Sequence, residues 1–194
     1  MSLALLTELR EATHAGHENL HVHPALKDLT SPQLSEAVYQ HALIKFYGFY
    51  KPLEDLFSAS DLKVLEAYQD KMMITNLVSD LTLMGIDPEK IPLRPLSIDR
   101  LTLEQGVAYL YLREGSSLGG QVISKHLARH LEKHPGIENK YFYGRGDQTG
   151  PAWKNTVALF QDIEHNINIH ETALFAAGLF SQLDEWLSLE INNG

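Results

Sequence analysis

Three glycines and two serines interrupt an otherwise helical pattern at Gly115-Ser116-Ser117-Leu118-Gly119-Gly120, with Arg113-Glu114 before it and Gln121 after it. The surrounding pattern runs from about Thr102 to His134. A glycine inside a helix costs roughly 1 kcal/mol against alanine. A chain that accepts this cost repeatedly needs its backbone close to something, or needs to bend. Removing Cβ at Gly115 and Gly119, one turn apart, leaves a strip of bare backbone on which a flat ligand can lie. Tight packing against a neighbouring helix calls for the same glycines, so this stretch alone leaves both readings open.

The rest of the chain is helix, short loop, helix, with no alternating β-branched runs and no repeat of 20–50 residues. At 194 residues it suits one domain, residues 1–194, with enough length for a core. The expected fold class is an all-α, single-domain helix bundle. The absence of cysteine excludes disulfides, thiolate metal ligands and cysteine nucleophiles, and fits a cytoplasmic protein. A net charge of −9 argues against a nucleic-acid partner. No apolar run of about 18 residues predicts a membrane span, and Met1-Ser2-Leu3-Ala4-Leu5-Leu6 has no basic leader that would mark a signal peptide. The ten histidines need a reason.

The first helix is expected from a Ser2 cap, with Leu6, Leu9, Thr13, Gly16/His17 and Leu20 on its apolar face, ending between Asn19 and Pro24. Arg10 lies two turns before His17 on nearly the same meridian. A second helix should start at Ser31-Pro32, carry Leu34, Val38, His41 and Lys45 beside Phe46, Tyr47, Phe49 and Tyr50, and kink at Pro52 before Leu53–Phe57. Shorter helices are expected from about Asp61 to Tyr68 and from Asp70 to Met84, stopped by Gly85. Residues 86–100, with Pro88, Pro92 and Pro95, read as an extended connection. Thr102 and Gln105 form a capping box for the long helix, and Pro135-Gly136 stops it. Residues 137–150 read as an aromatic, glycine-rich loop. Gly150-Pro151 restarts a helix carrying Trp153 and Lys154, and a last helix runs to about Leu189, broken near Asn166 or Asn168.

A histidine alone on an apolar helix face is more often a satisfied core residue than a ligand. Beside a second helix that offers bare backbone at Gly115 and Gly119, His17 acquires another meaning. A planar ligand between a histidine helix and a glycine helix is the geometry of a haem sandwich, with one axial imidazole and an open opposite face. Here Leu9-Arg10-Glu11-Ala12-Thr13-His14-Ala15-Gly16-His17 resembles the proximal-histidine helix of the haem oxygenase family, and Glu114-Gly115-Ser116-Ser117-Leu118-Gly119-Gly120-Gln121 resembles its distal helix. Tyr143-Gly144-Arg145-Gly146 with Thr149-Gly150-Pro151-Ala152-Trp153-Lys154 is similar to the bacterial branch that supplies biliverdin to bacteriophytochromes. The run from Ala173-Leu174-Phe175 through Phe180 and Leu183 to Trp186-Leu187 resembles the closing helix. The matches span residues 9–187 in the family's order.

The resemblance implies a haem-degrading oxygenase. It would cleave haem at a meso carbon to biliverdin, carbon monoxide and ferrous iron, using O2 and an external electron donor such as a ferredoxin or other reductase. A bacteriophytochrome would be a possible acceptor of the product. His17 would be the proximal iron ligand, and the backbone of Gly115, Gly119 and Gly120 would meet the distal haem face. Arg10 and Lys154 match basic residues near the propionates, and Phe175 matches an aromatic that lies on the haem. Each charge-assisted pair to a propionate contributes on the order of 1–3 kcal/mol. Many family members place Asp after the first distal glycine to anchor a water network. Ser116 stands there in this chain, with a hydroxyl that hydrogen-bonds but carries no charge, so a non-catalytic haem- or bilin-binding protein is the alternative. Ala158 also stands where some relatives have an arginine near the propionates.

The other histidines admit separate readings. His126, His130 and His134 recur at i, i+4, i+8, a metal spacing or, with Lys125, Arg129 and Lys133, a cationic face for an acidic donor. His14, His21 and His23 flank His17 as substitute ligands. Glu164-His165 and His170-Glu171 invite a two-iron reading, but as adjacent pairs they lack the Glu-x-x-His spacing of such sites.

Overall fold

The computed structural model describes residues 3–130 and 136–190, which are mainly helical with no strand among them. Ser2, Lys133, His134 and Pro135, named above, lie outside the described residues. In chain order the α-helices are α1 Ala4–Val22, α2 Pro24–Lys27, α3 Glu36–Ser58, α4 Met72–Leu83, α5 Leu103–Ala128, α6 Lys140–Tyr143, α7 Thr149–Ile163 and α8 Ile169–Ser188. Short 3-10 turns at Asp28–Thr30, Lys63–Tyr68, Pro88–Lys90, Gly146–Gln148 and Glu164–Asn166 join them. The expectation of an all-α bundle holds.

Helix α5 starts as its sequence dictates. The Thr102 hydroxyl accepts from the Gln105 amide at 3.3 Å while the Gln105 side chain accepts from the Thr102 amide at 3.0 Å. Helix α3 supplies the aromatic centre of the core, with Tyr39, Phe49, Tyr50 and Phe57 fully buried. It runs through Pro52. Proline has no N–H to give the carbonyl four residues back. That carbonyl, Gly48, instead accepts from the Arg94 amide at 2.9 Å. The extended connection thus docks where the helix ladder is open, and glycine at 48 is what lets it approach. A Cβ there would lie 2.6 Å from the Pro92 carbonyl and 2.7 Å from the Trp186 ring.

Helix α8 packs against both α1 and α5. Gly16 makes the first contact possible, since a Cβ at that position would sit 2.7 Å from Phe180 Cβ. The far end of α8 is held by Lys45, fully buried, whose ammonium donates to the carbonyls of Trp186 (3.2 Å) and Leu189. A cation at a helix C-terminus meets the negative end of the dipole. The Trp186 indole returns a hydrogen bond to the Lys45 carbonyl at 2.9 Å.

Several sequence expectations need correction. The second helix does not start at Ser31-Pro32. The Ser31 hydroxyl accepts from the Gln33 amide at 3.0 Å, a local turn that uses up the cap. Ser35 takes the capping role instead, accepting from the Val38 amide at 3.2 Å. The stretch before it contains α2, which the sequence reading left without a helix. The segment near 61–68 is a 3-10 turn over Lys63–Tyr68. Residues 137–150 contain α6 rather than an unbroken loop. Its first amides, Lys140 and Tyr141, donate to the buried Asp80 carboxylate at 3.1 and 2.9 Å, and the Tyr39 hydroxyl donates to the same group at 2.6 Å. Helix α6 therefore owes its start to a partner from α4, 60 residues earlier in the chain, which no local pattern reveals.

Candidate functional site

Helices α1 and α5, both packed against α8, contribute to the lining of a cavity of about 580 Å³. That volume is in the range of small-molecule and cofactor sites. Thr13 Oγ1 and Tyr111 OH, 3.3 Å apart, bridge the two helices at its edge.

The α5 wall answers the question left open by the glycines. A Cβ built at Gly115 or Gly119 meets nothing within 4 Å, and both residues line the cavity. Among the described residues no neighbouring helix uses that bare strip. Gly120 lines the cavity too, but a Cβ there would meet the Phe142 carbonyl at 3.4 Å, so this glycine also serves the approach of α6. Ser117 donates back to the Arg113 carbonyl at 3.2 Å, an i−4 bond of the kind that bends helices. Ser116 lines the cavity with its hydroxyl 3.0 Å from the hydroxyl of Tyr50, which reaches it from the buried side of α3. Burial raises the Tyr50 phenol to about 12, so it stays a neutral hydrogen-bonding group at ordinary pH.

The α1 wall carries His17, Leu20 and His21. His17 is exposed to the cavity rather than packed in the core, which corrects its placement on the buried stripe. Its ring lies 6.3 Å from Phe180 and 4.5 Å from His21. Partial desolvation, then repulsion from His21, lowers its pKa. From an unperturbed value of about 6.5, this keeps the imidazole neutral at pH 7, with a nitrogen lone pair free to bind a metal. Aromatic side chains floor the space: Phe46, Tyr111, Tyr141, Phe142, Trp153 and Phe180. Leu118 and Val122, both exposed and one turn apart on α5, form an apolar lip.

Beneath α5 runs a chain of charges. Arg113, 3% exposed, donates to Glu54 at 3.3 Å, to Glu114 at 3.0 Å and to the Tyr68 carbonyl at 2.7 Å. The Tyr109 hydroxyl donates to the same Glu54 oxygen at 2.6 Å. Burial raises the Glu54 pKa against the pull of Arg113. Glu114 in turn accepts from Arg145 at 2.9 Å, and Arg145 reaches Asp70 at 2.9 Å. Both cavity-lining arginines are thus matched by carboxylates. Lys27, exposed at the rim, forms no ion pair with a described carboxylate and offers its charge to a ligand.

Of the residues singled out in the sequence, the structure brings His17, Gly115, Ser116, Gly119 and Gly120 to one cavity. Arg10, Lys154 and Phe175 do not line it; Arg10 and Lys154 are exposed elsewhere, and Phe175 is half-buried against the core. The sequence reading missed Tyr50 as the partner of Ser116, Lys27 as the rim cation and Tyr111 as a wall. Tyr50 and Tyr111 each fall on the inner face of a helix at the level of the glycines, which was the available signal. Lys27 gives none, because α2 was not foreseen.

The remaining histidines separate. His23 is buried, accepting from the Ala25 amide at 3.1 Å and lying 3.0 Å from the Ser188 hydroxyl, so both ring nitrogens are engaged. His126 and His130 stack at 4.4 Å. Glu164 accepts from the Leu5 amide at 3.3 Å at the start of α1, and His170 faces Glu8 at 3.6 Å. Neither is part of a metal cluster among the described residues.

A crystal structure of the NO- and CO-bound haem oxygenase from Neisseria meningitidis superposes with a TM-score of 0.74, covering 96% of this chain and 90% of that one at 20% identity. The chain has the haem oxygenase fold. Residues 3–84, which span α1 and the whole of α3, also match the family model described as heme oxygenase. No curated protein matches the chain. In this fold α1, with His17, and α5, with its bare glycines, both line the cavity. No described helix is long and apolar enough to cross a membrane.

Proposed function

We propose that the chain, acting as a single domain, is a haem oxygenase that cleaves haem at a meso carbon to biliverdin, carbon monoxide and ferrous iron. The family match and the fold support an enzyme that degrades haem. The observation that carries the reading to this site is the pairing of bare backbone at Gly115 and Gly119, facing open space, with the His17 imidazole in the same cavity. The residues fit haem: a flat apolar body suits the aromatic floor, an imidazole suits iron, and Lys27 supplies a cation for a carboxylate.

In this reading haem is substrate and cofactor together, and when bound it supplies the iron at which O2 is activated. The chain supplies the rest. His17 gives one neutral nitrogen to the metal. Gly115 and Gly119 would let the α5 backbone lie close against the haem, since neither carries a side chain into the cavity. The Ser116 hydroxyl, fixed by Tyr50, is a neutral donor or acceptor at that face. The aromatic floor and apolar lip exclude bulk water. Arg113, Glu54 and Glu114 fix the helical turn just before Gly115.

Electrons come from an external donor. A ferredoxin or other acidic reductase would find Lys125 and Arg129, both exposed at the end of α5. A bacteriophytochrome would be one acceptor for the biliverdin. A non-catalytic haem- or bilin-binding protein is the second reading, favoured by Ser116, whose hydroxyl is tied to Tyr50 where a carboxylate is common. Titrating haemin into the apoprotein, followed by reductant and air, separates the two. A one-to-one Soret band that bleaches to a biliverdin spectrum, and that changes in His17→Ala, supports the oxygenase. A stable band supports the carrier, and no band removes both.

A further inference from the structure

His17 has two neighbours that the proposed reaction does not use. His21 lies one turn further along α1, and Glu18 lies next to His17 in the chain. One ligand-capable atom from each of His17, Glu18 and His21 falls within 4.8 Å of the others. All three side chains are exposed, and the His17 and His21 rings already lie 4.5 Å apart. Around a tetrahedral ion with bonds of about 2.1 Å, neighbouring donors stand about 3.4 Å apart. Binding would require these exposed side chains to turn so as to close that gap.

We propose that His17, Glu18 and His21 form a binding site for a divalent first-row transition metal ion at the cavity mouth. Two imidazoles and a carboxylate, with the remaining positions open to water, suit ferrous iron, cobalt, nickel or zinc over calcium or magnesium. The helix fixes the geometry, because side chains at i and i+4 lie on one face. His23 cannot join, since both of its ring nitrogens are engaged. His170 stands apart on α8, facing Glu8.

The site shares His17 with the proposed haem site, so the two occupants exclude one another. The chemistry gives the exclusion a use. A ferrous ion is a product of the proposed reaction, and it is set free while His17 is its protein ligand. His21 and Glu18 would be the further donors nearest to an ion held by His17. This role for the site rests on the haem reading; the metal binding itself does not.

The test is a titration of the apoprotein with Co2+, followed by its visible d–d absorbance, and with Zn2+ by competition. Saturable one-to-one binding is expected, weakened at least tenfold by His21→Ala and severalfold by Glu18→Gln. His126→Ala, which breaks the other i, i+4 histidine pair, should change nothing. Binding that survives His21→Ala, or that is lost with His126→Ala, overturns the proposal, as does no binding at millimolar Co2+. In a second arm, haemin is titrated into wild type and Glu18→Gln with and without Zn2+. Zn2+ should weaken haemin binding to wild type and do so less for Glu18→Gln. Equal haemin binding with and without bound Zn2+ overturns the shared use of His17. Haemin binding without Zn2+ tests the haem reading by itself, so the two failures are distinct.

Discussion

The hydroxyls of Tyr50 and Ser116 lie 3.0 Å apart, joining the aromatic core of α3 to the glycine strip of α5. The tyrosine is fully buried, while the serine borders the cavity. The Ser116 side chain is thus oriented by a group buried behind the cavity wall. Tyr50→Phe removes this bond and leaves the ring in place. A lost hydrogen bond of this kind costs about 1 kcal/mol. Ser116→Ala should cost a similar amount, and the double variant little more than either alone. Denaturant unfolding of the four proteins gives the coupling directly; fully additive costs would mean that the bond contributes nothing to stability.

Two glycines should respond to the same substitution with opposite signs. At Gly119 a new Cβ meets open space, so Gly119→Ala should leave the apoprotein as stable or more stable by up to about 1 kcal/mol, the helix-propensity gain. At Gly16 a new Cβ would fall 2.7 Å from Phe180 Cβ, so Gly16→Ala should destabilise by about 1–3 kcal/mol through overpacking. Thermal melts check both. A larger residue, Gly119→Leu, should keep the apoprotein folded and abolish haemin turnover or divert it to peroxidase-like chemistry. Wild-type turnover in Gly119→Leu would count heavily against the proposed site.

Where a residue's role depends on its neighbours along the helix, the sequence was enough. The Thr102–Gln105 capping box is local chemistry, and the i, i+4 spacing of Gly115 and Gly119 is helix geometry. The choice between packing and ligand was not legible, because a glycine looks the same whether its bare face meets another helix or empty space. Gly120 and Gly119 are adjacent and yet differ in this respect. Charge partners were equally hidden. Arg10 and Lys154 resemble propionate partners by position in a motif, yet neither borders the cavity, whereas Lys27 does from a helix that Pro24 begins. The docking of residues 86–100 turned on a single missing N–H at Pro52. The proline was visible in the sequence, and Arg94 as the donor that replaces it was not.

Alkali should unfold the protein steeply. Burial raises the phenols of Tyr39, Tyr50, Tyr109 and Tyr141, with Tyr50 at about 12 and the others shifted upward as well. A phenol whose folded value lies above its unfolded value of about 10 favours the folded state fully below pH 10. That contribution is lost as the pH rises from there through the folded value. Each such tyrosine contributes a slope of about 1.4 kcal/mol per pH unit in that window. Phenolate absorbance and far-UV circular dichroism should therefore change together above pH 10. Tyrosine ionisation that runs well ahead of the loss of helix would show that these phenols are not protected.

Removing Arg113 should be far more damaging than removing a surface arginine, and the damage should depend on pH. Its guanidinium is 3% exposed and is the cation that offsets Glu54 at 3.3 Å. Arg113→Met keeps much of the volume but leaves Glu54 as a buried carboxylate with only Tyr109 to bond it. Breaking a buried pair from one side costs about 3–5 kcal/mol. Glu54→Gln in the same background removes the stranded charge and should recover part of this loss. The folded-state pKa of Glu54 already lies above its ordinary value through burial, and without Arg113 it rises further. A raised carboxyl favours the folded state at low pH and penalises it once the unfolded chain ionises. The penalty of Arg113→Met should accordingly shrink as the pH falls from 7 and level off below about 4, where the glutamate becomes protonated in the unfolded chain as well. Unfolding curves at pH 7 and pH 5 for wild type, Arg113→Met and the double variant test each step. A loss independent of pH, and not relieved by Glu54→Gln, would assign Arg113 to packing over the Phe57 ring, 5.4 Å away, rather than to charge.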